Sequence, residues 1–369
     1  MPPARRTARR CRSSIRRRRA GPRAVTGRAS CSPLLLPGGP LPASLRRKNG
    51  FGASLFRRRR PAARARSPCK HGPHRLAFPQ KQGASPGAGG GGVTEDAMFA
   101  QINHMAMISP NYALLERYYR ALFGFRVTSR GDHDAEASTV VGDGNVGLNI
   151  LPRRDGYVGG IDHFGMVVDS IDAVQARMKG KHDKANIVKR PSTRPFAAYS
   201  GHDPDGNVFD LAERAGDNRK DVYAEAAKGG WKQPNVFHRF AIRTPNAEAC
   251  AEFYADVFEL QPVNRSSEEG AYHLTDGTVI LSIMPWSIDW FSGTSIKRPG
   301  PDHIGIKVAD LDGFRAEMDR IGGKNTFLAS RPLGGSRESD ARRDHFSASA
   351  LGKLQIADPD GNWLDITDE

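Results

Sequence analysis

Six residues of two chemical types recur through the chain at spacings that suit a metal site. Four histidines each stand near the start of a strand-like stretch, and two aspartates each stand in a strand that follows a tight turn. These six residues are His104, His163, His238, His303, Asp210 and Asp365. Neutral imidazole and carboxylate are ligands for divalent metals, and two histidines with one carboxylate leave coordination positions open for substrate. The residue types therefore predict a catalytic metal site in each half of the chain.

The turn before each aspartate is itself repeated. The sequence Asp-Pro-Asp-Gly-Asn occupies residues 203–207 and again residues 358–362. Proline and glycine set the backbone of such a turn, and alternate residues of the following strand point to opposite faces. The turn alone indicates no more than turn chemistry. Its recurrence directly before the candidate ligand predicts that each carboxylate is held at a fixed place on a sheet.

The elements that position these residues form a repeated pattern. Each histidine lies in a strand, a helix follows it, and further strands complete the unit; the helices are predicted at 112–123, 171–178, 247–258 and 311–321. We expect an α+β fold of four βαβββ units, paired into two domains with curved mixed sheets. The predicted boundaries are residues 98–215 for domain 1, 216–232 for a linker with a helix near 222–227, and 233–369 for domain 2.

The positive charge of the chain belongs to its N-terminal segment. Residues 1–97 hold 23 of the 55 Lys and Arg and two of the 40 acids, so the remainder carries a charge of −6. This segment lacks a periodic apolar pattern, which predicts disorder. It is interpreted as a transit peptide, as a tail for anionic partners, or as sequence upstream of a translation start at Met98, and we favour the last. We expect no nucleic-acid partner for the folded part.

Cysteine content and hydropathy restrict the cellular setting. Cys250 is the single cysteine of residues 98–369, so no internal disulfide can form there, which fits a reducing compartment. No apolar run approaches the roughly 20 residues that span a bilayer. We expect a cytoplasmic protein without a membrane partner, or an organellar one if residues 1–97 are a transit peptide.

The His-bearing units and the Asp-Pro-Asp-Gly-Asn turns together resemble the vicinal oxygen chelate superfamily, which includes glyoxalases, extradiol dioxygenases and epimerases. The four-unit layout over residues 98–369 looks most like the extradiol dioxygenases. That resemblance implies Fe(II) held in the second domain by His238, His303 and Asp365. Their counterparts in domain 1 are His104, His163 and Asp210, and Mn, Zn or Ni are alternative metals.

Further expectations concern proton transfer and substrate. Extradiol enzymes tend to have a tyrosine ten positions before the last ligand, and Tyr199 lies one position from there; His202 and His345 are further candidates for acid–base or supporting roles, or are surface residues. An insertion near 330–350 in domain 2 is interpreted as an arginine-bearing lid or as a solvated loop.

Three functions remain open. The first is ring cleavage of a catechol-like small molecule, and the second is a metal-dependent lyase or epimerase reaction. The third is non-catalytic binding of a small molecule. We also expect a homo-oligomer.

Overall fold

The computed structural model describes residues 99–130, 138–191, 195–217, 228–229, 233–265, 267–288 and 298–369. The segment 1–97, Met98 and the helix predicted near 222–227 lie outside these residues. The described residues belong to one compact unit, residues 75–369. None of the helices within them is both long and apolar enough to cross a bilayer.

The described residues of domain 1 form an eight-stranded mixed sheet with two α-helices. The strand order is β2-β3-β4-β1-β5-β8-β7-β6, in which β1 and β4 are parallel, β5 and β8 are parallel, and the other pairs are antiparallel. The elements are β1 (Ala100–Ser109), α1 (Tyr112–Phe123), β2 (Arg126–Arg130), β3 (Thr139–Gly142), β4 (Gly147–Pro152), β5 (Gly160–Val168), α2 (Ile171–Met178), β6 (Asn186–Lys189), β7 (Tyr199–His202) and β8 (Val208–Glu213).

Domain 2 repeats this plan in a seven-stranded sheet of order β10-β11-β12-β9-β13-β15-β14. Its elements are β9 (Val236–Thr244), α3 (Ala247–Phe258), β10 (Gln261–Pro262), β11 (Tyr272–Thr275), β12 (Ile280–Pro285), β13 (Gly300–Lys307), α4 (Leu311–Lys324), α5 (Arg337–Ser349), β14 (Leu354–Ala357) and β15 (Trp363–Thr367). The two-domain α+β prediction is confirmed.

The fourth unit departs from the predicted βαβββ order. Where the second unit has β6 paired with β7, the fourth has an isolated bridge between Arg331 and Ala357. The chain between that bridge and β14 forms the helix α5, whereas the described residues between β6 and β7 form one short turn of 3-10 helix, Pro195–Ala197. The inserted residues therefore replace an edge strand with a helix.

The helices pack across the domain boundary through aromatic side chains. Phe123 at the end of α1 stacks on Phe314 of α4, with ring centroids 5.2 Å apart. Gly124 ends α1 with a φ of 71°, a conformation that glycine adopts without strain. These buried faces join both domains in one apolar core, because the core cluster includes residues of both sheets.

Each Asp-Pro-Asp-Gly turn is held by the opposite domain. The buried carboxylate of Asp358 accepts a hydrogen bond from the Tyr119 hydroxyl of α1 at 3.0 Å. The buried carboxylate of Asp203 accepts one from the Tyr254 hydroxyl of α3 at 3.2 Å. The two turns thus form a reciprocal interdomain clasp, which we define by these four residues.

A second aspartate of each turn extends the clasp. Asp360 accepts a hydrogen bond from the Ser109 hydroxyl, and Asp205 accepts one from the Thr244 hydroxyl at 2.6 Å. Burial raises the pKa of Asp358 to about 6, although hydrogen bonds from Asn362 and Tyr119 oppose that rise. The turns therefore have an interdomain role in addition to placing the strand that follows.

Candidate metal centre

Strand pairing brings three of the predicted ligands together in domain 1. His104 on β1 lies opposite Gly165 of β5, and Asp210 on β8 lies on the other side of the same Gly165. His163 stands two residues before Gly165, on the same face of β5. The glycine is required, because a Cβ atom at position 165 would lie 1.9 Å from Cε1 of His104. The His104 imidazole thus extends across the neighbouring strand toward Asp210.

The ligand atoms of these three residues form one compact group. One nitrogen or oxygen atom of each lies within 4.8 Å of the others. The Nε2 atom of His163 is 3.3 Å from Oδ2 of Asp210, and the Nε2 atom of His104 is 3.9 Å from the same oxygen. His104 and Asp210 are buried, and the His163 side chain is 13% exposed. The donor set and its spacing fit a divalent metal ion.

A hydrogen bond at Nδ1 orients each of the two imidazoles. Nδ1 of His104 donates to the side-chain oxygen of Asn103 at 2.8 Å, and Nδ1 of His163 donates to Asp162 at 2.7 Å. Each hydrogen bond leaves Nε2 directed at Asp210. Metal-binding histidines are commonly held in this way, because the second hydrogen bond fixes the tautomer and the ring orientation.

The charge state of the group depends on its neighbours. Burial alone lowers the pKa of His163, but hydrogen bonds and charges of Asp162 and Asp210 outweigh it and raise the value to about 9. Burial alone raises the pKa of Asp210, and its contacts with His104 and His163 reverse this and hold it below its ordinary value. Asp210 is therefore ionised at neutral pH, as metal ligation requires.

A cation that sequence reasoning missed also contacts this carboxylate. Nη1 of Arg190 lies 2.6 Å and 2.8 Å from the two carboxylate oxygens of Asp210. The Arg190 side chain is 39% exposed, so it approaches the group from the solvent side. A metal ion at this group and the guanidinium compete for the same oxygens.

Domain 2 does not repeat the group. In domain 1, His104 pairs with Gly165 of β5. In domain 2, the residue that pairs with the equivalent Gly305 of β13 is Arg239 and not His238. Arg239 is 1% exposed and donates to Oδ2 of Asp365 at 2.9 Å. Among the residues that the structure describes, the single His/Cys/Asp/Glu group of metal-binding geometry is the one in domain 1.

The carboxylate of Asp365 is fully engaged without a metal. The backbone N–H groups of Leu351 and Gly352 donate to it at 2.9 Å and 3.0 Å, and the Gln355 amide donates at 3.1 Å. With Arg239 these contacts occupy both oxygens. The buried guanidinium supplies the positive charge that a metal would supply in domain 1.

The two histidines predicted as ligands in domain 2 have other surroundings. His238 precedes Arg239 at a register shift of β9, and the pKa of its imidazole is lowered to about 4, chiefly by burial. His303 donates from Nδ1 to Asp302 at 2.7 Å, and its ring lies 4.7 Å from that of Phe346 on α5. The inserted helix therefore fills the space before His303, and the structure does not join His238, His303 and Asp365 as a ligand set.

The three proton-transfer candidates are distributed over both domains. Tyr199 packs against the apolar core, while Nδ1 of His202 contacts the backbone oxygen of Asp203 at 3.0 Å. His202 shares a sheet face with Ser200, which pairs with Asp210 across β7 and β8. His345 lies in domain 2, where its Nε2 is 3.5 Å from Glu268. His202 is therefore the candidate on the same face as the metal group.

One sequence signal identifies Arg239 as the counterpart of His104. The tripeptide Ser109-Pro110-Asn111 precedes α1, and Thr-Pro-Asn at 244–246 precedes α3. His104 stands five residues before Ser109, and Arg239 stands five residues before Thr244. Aligning the repeat on these helix starts, instead of on the histidines, identifies the substitution.

The comparison with family models now identifies the fold family. The model described as the Glyoxalase/Bleomycin resistance protein/Dioxygenase superfamily matches residues 101–211 and 236–366. The chain belongs to this superfamily. The two matches cover the two sheets and include each Asp-Pro-Asp-Gly turn, as the resemblance to vicinal oxygen chelate proteins implied.

Solved structures of this superfamily are similar at low identity. The Mn(II)-bound glyoxalase from Novosphingobium aromaticivorans is 15% identical, with a TM-score of 0.48 over 73% of this chain and 83% of that one. Homoprotocatechuate 2,3-dioxygenase from Arthrobacter globiformis is 15% identical, with a TM-score of 0.48 over 73% and 80%. A 4-hydroxymandelate synthase mutant from Streptomyces coelicolor is 14% identical, with a TM-score of 0.47 over 72% and 91%. A search of curated protein sequences gave no significant match.

Proposed function

We propose that the chain is a divalent-metal enzyme whose active centre is His104, His163 and Asp210 of domain 1. The observation that carries this proposal is the convergence of two oriented imidazoles and one ionised carboxylate within 4.8 Å. Two histidines and one carboxylate with open positions are the ligand set of non-haem Fe(II) oxygenases. The proposed reaction is ring cleavage of a catechol-like small molecule.

The metal and the protein side chains have separate tasks in this proposal. A divalent metal at the centre would supply a Lewis acid for neighbouring substrate oxygens. Asn103 and Asp162 hold the two imidazoles in position. A bound metal would compete with Arg190 for Asp210, and the guanidinium would then be available to pair with an anionic group of the substrate. His202, on the face that carries Asp210, is the proposed proton carrier.

A second candidate is an oxygen-independent lyase or epimerase reaction of the glyoxalase type. It is favoured by the position of the ligand group, since the resemblance to extradiol dioxygenases implies a metal in the second domain. In domain 2 of this chain Arg239 and two backbone N–H groups already engage Asp365. Both candidates use the same three ligands, and they differ in whether O₂ is consumed.

Metal analysis of two matched variants tests the site. Asp210→Asn and Asp365→Asn make the same isosteric change in the two domains. We expect the full chain, loaded anaerobically with Fe(II), Mn(II), Zn(II) or Ni(II), to retain one ion per chain. Asp210→Asn should lose that ion and Asp365→Asn should keep it. Two ions per chain, or loss of the ion with Asp365→Asn, would contradict the assignment to domain 1.

Oxygen uptake then distinguishes the reactions. The Fe(II)-loaded chain should consume O₂ with a catechol panel, and His104→Ala should abolish this uptake. Turnover of a vicinal-oxygen substrate without O₂ supports the lyase or epimerase candidate. A folded chain that binds no metal refutes both and favours the non-catalytic binding hypothesis. The homo-oligomer stays a prediction, which light scattering of the purified chain checks.

A further inference from the structure

A cleft of about 530 Å³ lies between the two domains, apart from the metal centre. Residues of both domains line it, including the turn that carries Asp360 and the start of β5, and none of His104, His163 and Asp210 is among them. A volume of this size suits a small organic ligand. The side chains that face the cleft determine which kind of ligand it can hold.

Four arginines face this cleft, one from domain 1 and three from domain 2: Arg153, Arg298, Arg331 and Arg342. Within the described residues, no carboxylate forms an ion pair with any of them. Two acids also belong to the lining. Asp302 contacts Arg243 and His303 and interacts electrostatically with Arg342, and Asp360 contacts Ser109. Four arginines against two aspartates leave the lining with a net charge of +2.

Two of the arginines are held in place by the fold. The guanidinium carbon of Arg342 lies 4.1 Å from the ring centroid of Trp363, and its buried Nε has no hydrogen-bond partner. The backbone of Arg331 is fixed by paired hydrogen bonds with Ala357 at 2.8 Å and 3.2 Å. Burial also lowers the pKa of Arg342, an effect that the charge of Asp302 opposes and that of Arg243 adds to, so a further anion would stabilise the guanidinium. A second hollow of about 280 Å³ shares these residues and extends the cleft.

The internal repeat shows that the fold does not need these arginines. Ala357 and His202 are equivalent, since each directly precedes an Asp-Pro-Asp-Gly turn. Arg331 pairs with Ala357 and Asn186 pairs with His202, so Asn186 is the domain 1 counterpart of Arg331. Arg342 belongs to α5, whereas the described residues between β6 and β7 form only one short turn of 3-10 helix (Pro195–Ala197). The counterpart of Trp363 is Val208, which is 50% exposed. Among the described residues, these two arginines are therefore found at one of two equivalent turns.

We infer that this interdomain cleft binds a multiply anionic small molecule, an organic phosphate or polycarboxylate, through Arg153, Arg298, Arg331 and Arg342. Guanidinium groups pair with phosphate and carboxylate oxygens through two parallel hydrogen bonds, which gives direction as well as charge. The apolar part of the lining, which includes Ile108, Ile161 and Pro301, contacts the carbon portion of the ligand. This inference is independent of the reaction at the metal centre.

Titration calorimetry with two probes tests it. The full chain is first depleted of metal on a chelating resin, so that no soluble polycarboxylate chelator is present, and is then titrated with inorganic pyrophosphate and with citrate at fixed ionic strength. We expect at least one of the two compounds to bind, with a stoichiometry of one molecule per chain. Removing two arginine contacts in Arg331→Gln/Arg342→Gln should weaken binding roughly tenfold or more. Preference for pyrophosphate identifies an organic phosphate, and preference for citrate identifies a polycarboxylate.

Three further variants make the result decisive. Arg153→Gln/Arg331→Gln changes two exposed side chains and leaves Arg342 in place. It should weaken binding to a similar extent, so it tests the cleft even if the Arg342→Gln substitution disturbs α5. Arg315→Gln and Arg320→Gln, both exposed on α4, should bind as the unaltered chain does. The basic segment 1–97 is the same in every variant, so its contribution cancels. Unchanged affinity in both cleft variants, no binding of either probe, or loss of binding with Arg315→Gln would overturn the inference.

Discussion

Replacing Arg239 with methionine tests whether a buried guanidinium has taken the place of a metal in domain 2. The Arg239→Met side chain keeps much of the original length and removes the charge. In the structure the guanidinium is 1% exposed and donates to three oxygens: Ser282 Oγ at 2.6 Å, Asp365 Oδ2 at 2.9 Å and Ser349 O at 2.9 Å. All three contacts are lost together.

The expected cost follows from what remains after the change. Removing one partner of a buried ion pair typically lowers the free energy of unfolding by about 3–5 kcal/mol. Asp365 keeps donors from Leu351, Gly352 and Gln355, so its charge is not left bare. We therefore expect a loss of about 3 kcal/mol, at the lower end of that range.

A double-mutant cycle measured by urea unfolding provides the assay. The double variant Arg239→Met/Asp365→Asn removes both charges and keeps an acceptor for the backbone N–H groups. Its loss in the free energy of unfolding should therefore be smaller than the sum of the losses of the two single variants, by a coupling energy of about 1–3 kcal/mol. Arg320→Met breaks the exposed pair with Glu317 and should leave the urea midpoint nearly unchanged. An Arg239→Met variant within about 1 kcal/mol of the unaltered chain would refute the substitute-cation reasoning.

The remaining predictions concern the metal centre. Gly165→Ala should abolish metal binding, because the added Cβ would occupy the position of the His104 ring, whereas Gly216→Ala, which meets no atom within 4 Å, should bind normally; equal binding by both would contradict this. Metal affinity should rise from pH 6.5 to about 9, since the metal displaces a proton from His163, and a chelator-competition series that stays flat would exclude it. The metal-free chain should lose stability over the same window in urea unfolding, because a raised folded-state pKa stabilises the fold only while His163 is protonated. Arg190→Ala should bind metal more tightly by freeing Asp210, and weaker binding in the same competition assay would count against that competition.

Periodicity and turn chemistry predicted the elements well. The helices expected at 112–123, 171–178 and 247–258 have those bounds in the structure, because each combines an apolar stripe with a clear end. Helix α5 was not predicted. Its sequence is rich in Arg, Ser and Asp, and the side chains that anchor it most deeply are Phe346 and Ser349, so no apolar stripe marks it.

The three ligands of domain 1 could be predicted from the sequence, whereas the cations that contact the two aspartates could not. His104, His163 and Asp210 each lie at a fixed distance from a repeated feature, so their types and spacing predicted a site. The sequence favours His238 because it is a histidine near the start of β9, whereas the register shift at that point places Arg239 in the equivalent position. The engagement of Asp365 by Arg239, and of Asp210 by Arg190, depends on contacts between distant parts of the chain, which spacing does not reveal.

The interdomain clasp sets a limit on how the two halves of this molecule can diverge. In each half a buried tyrosine hydroxyl donates to a buried aspartate of the other half, while each aspartate also accepts hydrogen bonds from its own turn. An isolated half would lose both interdomain hydrogen bonds and expose the aromatic faces between the helices. Unfolding is therefore expected to be one cooperative event, in which an ion bound in domain 1 also stabilises domain 2. In this architecture one half can lack a metal site without loss of the fold. It must nevertheless keep its interdomain hydrogen bonds and aromatic contacts, because the other half depends on them for its stability.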